Sequence, residues 1–233
     1  MDKNCSEENE SWVSCCHEAA HAVAAYLCGF EICYASMRPP GKGSSCVLIN
    51  CGCFYSLSYQ NLFVLLAGAV GENIAFKPVV PYLTPSTSGD LLQSSWLLFL
   101  LRYNKQEDRD DIFLRFRKDK FTWSHDGDWA QKIIERMLVD IDQALRQRST
   151  WAVFQELAVR FEEAMIERRE YVPGEDILTI LNSHIEGGRS IVTTPSWFER
   201  ELARHEIERV SLDEINEAYR VIDELDCPPM PDC

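Results

Sequence analysis

Apolar positions along this chain recur mostly three and four residues apart, the spacing that puts one stripe on a helix face. In Trp129 to Arg146, the residues Ile133, Ile134, Met137, Leu138, Ile141 and Leu145 share such a stripe. Thr150 to Arg169 repeats the pattern with Phe154, Leu157, Ala158, Phe161 and Met165. Ser58 to Phe76 carries Leu62, Leu65, Leu66, Ala69, Val70 and Ile74. Thr87 to Tyr103 predicts a further helix, opened by Thr87 and Asp90 as a capping box. Pro173-Gly174 turns the chain, and Glu175 to Asn182 reads as a short helix. Residues 30–55 break the pattern: they are rich in Cys, Val, Ile, Tyr and Phe and are interrupted by Pro39 to Ser44. Two short strands are expected there, near Glu31–Met37 and Cys46–Cys51. The expected fold class is mainly α with a small β-hairpin or sheet.

Three segments follow. Residues 1–10 are expected to be disordered, residues 11–185 to form one domain, and residues 186–233 to add a helical C-terminal extension with a loose tail. Gly187-Gly188 marks the second boundary, and Thr194-Pro195-Ser196 opens helical residues to about Leu225. Trp197, Phe198, Leu202, Ile215, Tyr219 and Ile222 give that extension an apolar face. Packing on the domain is its expected use; partner binding or self-association through residues 189–225 is the alternative.

The first helix, Ser11 to Cys28, carries the chemistry. It contains His17-Glu18-Ala19-Ala20-His21, an H-E-x-x-H pattern. Residues four apart on a helix lie about 40° apart around the axis and about 6 Å along it. The two imidazoles therefore share a face and can grip one metal ion, and the Glu18 carboxylate can reach a water on it. Ala19, Ala20, Ala22, Ala24 and Ala25 favour helix, and Gly29 suits a left-handed helix end. The plain alternative is a buried helix whose two histidines are satisfied by hydrogen bonds.

Composition narrows the partners. A net charge of −14 argues against nucleic acid and against an anionic membrane surface. Met1 to Glu8 lacks the basic and apolar parts of a signal peptide, and no window reaches the roughly 18 apolar residues of a membrane span. A cytoplasmic setting with reduced thiols is the expectation for the 10 cysteines. Cys15-Cys16 and Cys51-Gly52-Cys53 lack zinc-ribbon spacing and read as ordinary thiols, with Cys15 and Cys16 close enough to His17 for oxidation or metal capture to matter. Gly41-Lys42-Gly43-Ser44 is not a P-loop. His125-Asp126-Gly127-Asp128 reads as a solvated turn, and His205-Glu206-Ile207-Glu208-Arg209 as a helix surface.

A catalytic zinc takes three protein ligands and keeps one open position. After His21 the next histidine is His125, so a carboxylate is the expected third ligand, with Glu72 and Asp90 the two that stand out.

Three segments, in order, resemble the FtsH family of zinc metalloproteases. Cys16-His17-Glu18-Ala19-Ala20-His21-Ala22 is similar to its H-E-A-G-H-A motif. Leu66-Ala67-Gly68-Ala69-Val70-Gly71-Glu72-Asn73-Ile74-Ala75-Phe76 resembles L-A-G-R-A-A-E-E-I-V-F-G, with Ala69 in place of the arginine. Ser86-Thr87-Ser88-Gly89-Asp90-Leu91 is similar to its S-x-G-A-x-N-D-I segment. Ile133 to Leu181 resembles its two closing helices. The resemblance implies a zincin-like FtsH peptidase-domain helical bundle over residues 11–185. It also implies Zn²⁺ held by His17, His21 and Asp90, Glu18 as the general base, and Glu72 supporting a zinc histidine. No counterpart of the family's AAA ATPase or membrane anchor is present, so ATP-independent cleavage of exposed or unfolded protein or peptide segments is expected. Cys46–Cys51 is the candidate edge strand for a substrate. Two rivals stand beside this: a dedicated peptidase of the phage-repressor-cleaving type, and a non-catalytic binding module on the same fold.

Overall fold

The computed structural model describes residues 3–37, 45–50, 59–76, 128–185 and 192–204. Among them are six helices and three strands. In chain order they are α1 (Lys3–Leu27), β1 (Glu31–Ser36), β2 (Cys46–Asn50), α2 (Tyr59–Phe76), α3 (Asp128–Leu145), α4 (Arg148–Ile166), β3 (Tyr171–Pro173), α5 (Gly174–His184) and α6 (Ser196–Arg204). The mainly α reading with a small sheet is what the described residues show. Thr87 to Tyr103, the turn at His125–Gly127, the Cys51–Cys53 pair, the Gly41–Ser44 stretch and the His205–Arg209 segment lie outside them.

Among the described elements, helix α1 packs against α2, α4 and the sheet. Ala19, Ala20 and every residue from Ala22 to Leu27 are buried, so the alanines let neighbouring helices approach from several sides. The helix ends as the sequence predicts. Gly29 takes φ 78°, its N–H donates to the Tyr26 carbonyl at 3.0 Å, and Phe30 N–H donates to the Ala25 carbonyl at 2.9 Å. This is a Schellman closure, which needs a residue free of Cβ strain at Gly29. The start differs from expectation. Helix α1 begins at Lys3, within the stretch expected to be disordered. Extending a packed helix adds one hydrogen bond per residue without a new nucleation cost, and Glu7, Glu8 and Glu10 are good helix formers.

The apolar stripes land where the spacing puts them. Ile133, Ile134, Met137, Leu138, Ile141 and Leu145 on α3 are buried, as are Phe154, Leu157, Ala158, Phe161 and Met165 on α4. The sheet is antiparallel in the order β2-β1-β3. Strands β1 and β2 pair from Glu31↔Asn50 to Ser36↔Cys46, with a bulge between Ile32 and Tyr34. Strand β3 is unexpected: three residues at a Pro-Gly turn carry no readable alternation. Its Val172 is buried opposite Ala35. Gly174, just after it, sits so close to β1 that a Cβ there would strike the Ile32 carbonyl oxygen and lie 2.7 Å from that of Cys33.

Helix α6 folds onto the body. Trp197 and Phe198 are buried against Tyr59, with ring centroids 6.0 and 5.3 Å away. Tyr59 Oη and Trp197 Nε1 both donate to Asp140 Oδ2, at 2.7 and 3.2 Å. Trp197 and Phe198 are therefore used within the chain, and residues 205–225 of the segment lie outside the described residues. Among the described residues no helix is long and apolar enough to cross a membrane.

Candidate metal centre

The H-E-x-x-H segment lies in the middle of α1, facing α2. The two rings meet edge to face, with centroids 4.6 Å apart. His17 Nε2 and His21 Nε2 are 3.0 Å apart. Each ring is held from its other nitrogen. His21 Nδ1 is 2.7 Å from the Val64 carbonyl oxygen, and His17 Nδ1 is 2.8 Å from Glu72 Oε1.

These bonds assign protons. A carbonyl oxygen only accepts, so His21 Nδ1 carries the hydrogen, and in the neutral ring its Nε2 presents a lone pair. An ionised Glu72 likewise accepts from His17 Nδ1–H, which leaves the same choice at His17 Nε2. Two lone pairs at 3.0 Å repel, so the contact needs either a proton between the nitrogens, as a hydrogen bond, or a metal ion on both.

Burial sharpens the electrostatics. Glu18 and Glu72 are 3% and 1% exposed, and among the described residues they are the buried charged side chains. Two carboxylates in a low-dielectric interior favour a nearby cation strongly. Two imidazoles anchored at Nδ1, with their Nε2 atoms facing and the buried Glu72 carboxylate behind one ring, are a donor set that fits a divalent ion. His17 and His21 would supply two ligands. Asp90, the expected third, lies outside the described residues. Among the described residues no group of three or more His, Cys, Asp or Glu side chains forms a complete ligand set. Glu72 reaches His17 from the Nδ1 side, whereas the two Nε2 atoms face each other.

No protein-family model matches this chain, and no curated protein matches it. What can be said of the site therefore rests on its geometry.

Two contributors have no signature in the H-E-x-x-H pattern. The Val64 carbonyl is a backbone atom, which any residue would supply. Gly68 lies against both rings: a Cβ there would come within 2.5 Å of His17 Nε2 and of His21 Nε2. A glycine inside a helix costs about 1 kcal/mol relative to alanine, and that cost was the readable signal.

The neighbouring thiols are not part of the site. Cys15 and Cys16 are buried, and burial, helped by Glu162, pushes their thiols up, that of Cys16 to about 12. Burial likewise lifts Cys28 to about 12. They hold their protons at neutral pH, and since thiolate is the reactive form, burial lowers the reactivity of Cys15 and Cys16. The shifts also set a stability window. In the unfolded chain these thiols ionise from their ordinary 9.0, while in the fold they hold their protons to about 12. Their contribution is complete below pH 9.0 and is lost as pH rises toward 12. Each thiol then removes about 1.4 kcal/mol per pH unit. Melting followed by circular dichroism should show Tm falling steeply above pH 9.0, with a shallower fall in Cys28→Ala. A Tm unchanged to pH 11 would contradict this.

Proposed function

We propose that this protein is a zinc metallopeptidase of the FtsH-like type. In this reading it hydrolyses peptide bonds in exposed or unfolded segments without using ATP itself. The observation that carries the reading is the facing pair of Nε2 atoms on His17 and His21, 3.0 Å apart, with both Nδ1 atoms anchored. His17, His21 and Asp90 would hold the ion. Zinc, when bound, would supply a Lewis acid for the attacking water and the scissile carbonyl.

The chain's own residues do the rest. Glu72 and the Val64 carbonyl fix each ring's tautomer and direction, so the donor nitrogens arrive oriented. Glu18, adjacent to His17 in sequence and buried, accepts a proton from the attacking water and returns it to the leaving amine. The peptide bond breaks with water added across it, and no residue is left modified. Among the described strands β2 lies at an edge, where an extended substrate can add main-chain hydrogen bonds.

The test is cleavage of casein, an unfolded substrate, by the purified chain. Cleavage should stop on chelation and return with added zinc. Cleavage indifferent to chelators would contradict the reading, and cleavage restricted to one regulatory protein would favour the dedicated peptidase.

A further inference from the structure

Helix α2 presents Val64, Gly68 and Glu72 at four-residue intervals, hence along one stripe. All three meet the histidine pair. The Val64 carbonyl takes the hydrogen of His21 Nδ1, Glu72 takes that of His17 Nδ1, and Gly68 lies between them against both rings. We propose that Gly68 is a positioning residue for the bound ion: its missing side chain sets how close the two Nε2 atoms come, and so how tightly an ion is held. This rests on the metallopeptidase reading above.

Two observations carry the inference. First, the atoms that a Cβ at Gly68 would meet are ring atoms: His17 Cε1, His17 Nε2 and His21 Nε2. A methyl group there has to displace ring atoms rather than helix backbone. Turning either ring lengthens its Nδ1 bond, now 2.8 Å for His17 and 2.7 Å for His21. Second, Gly71, three residues on, makes the opposite kind of contact. Its Cβ would strike the Cys16 carbonyl oxygen and lie 2.8 Å from Ala20 Cβ. Gly71 therefore sets the spacing of α1 and α2, and no imidazole atom is among the nearest three. Two glycines on one helix thus divide the work: one keeps the helices close, and the other keeps the ligand nitrogens convergent.

The experiment compares wild type, Gly68→Ala and Gly71→Ala. Each metal-free chain is titrated with Co²⁺ and followed by its visible absorption, with a thermal melt by circular dichroism alongside. Gly68→Ala should keep the helical signal, bind Co²⁺ at least about tenfold more weakly and show a changed visible spectrum. Gly71→Ala should melt lower yet, where folded, keep the wild-type spectrum. Gly68→Ala with wild-type affinity and spectrum would overturn the proposal. So would a Gly68→Ala chain that fails to fold, since Gly68 would then be a packing residue. A wild-type chain that binds no Co²⁺ would overturn the metallopeptidase reading first and this inference with it.

Discussion

Replacing Glu18 by glutamine is expected to lower casein cleavage by about 10²–10⁴-fold, the contribution of a positioned general base. Glutamine keeps the shape and one acceptor oxygen of glutamate but cannot take a proton at neutral pH. Glu18 is 3% exposed, so a charge there is poorly solvated. The amide removes that desolvation cost, and Tm should not fall. Zinc should still bind, because the donor nitrogens belong to His17 and His21. Three readings of one variant (activity lost, zinc retained, fold retained) separate a base from a ligand and from a packing residue. Undiminished cleavage by Glu18→Gln would remove Glu18 from the mechanism.

The second large effect concerns the third ligand. Glu72→Ala should weaken zinc binding by about 10–100-fold, the usual effect of removing the acceptor behind a ligating histidine. Its Oε1 lies 2.8 Å from His17 Nδ1, so the ring would lose its orientation while both Nε2 donors remain. Asp90→Ala should cost more, because in the proposed reading it removes a direct ligand. Competition titration of both variants against a zinc chelator of known affinity orders the two effects. If Glu72→Ala abolishes binding and Asp90→Ala leaves it unchanged, the third ligand is Glu72.

Much of the fold was legible because amphipathic helices announce themselves. The stripes on α3 and α4 were readable residue by residue, from Ile133 to Leu145 and from Phe154 to Met165. Strands β1 and β2 were readable from β-branched and aromatic residues on either side of Pro39 to Ser44, to within a residue at their ends. Strand β3 was not, since Tyr171–Pro173 is held by pairing with β1 rather than by its own pattern. The early start of α1 was hidden because acidic residues suit both helix and disorder.

The candidate site divides the same way. The four-residue spacing of His17 and His21 fixed their shared face, and the backbone of α1 makes that geometric rather than accidental. The acceptors behind the rings were legible unevenly. Glu72 stood out as the one charged residue of its helix. The Val64 carbonyl could not, because a backbone oxygen has no sequence signature. Gly68 and Gly71 were both visible as interior helix glycines, yet only the packing separates the one that meets rings from the one that meets backbone.

The central claim is that the facing Nε2 atoms of His17 and His21 share a zinc ion rather than a proton. Metal analysis of the purified wild-type chain, beside a His17→Ala/His21→Ala variant, tests it most directly. One zinc per wild-type chain and none in the variant is the predicted result. A wild-type chain that, after exposure to zinc, retains no more than the double variant would contradict it and leave an imidazole pair held together by a proton.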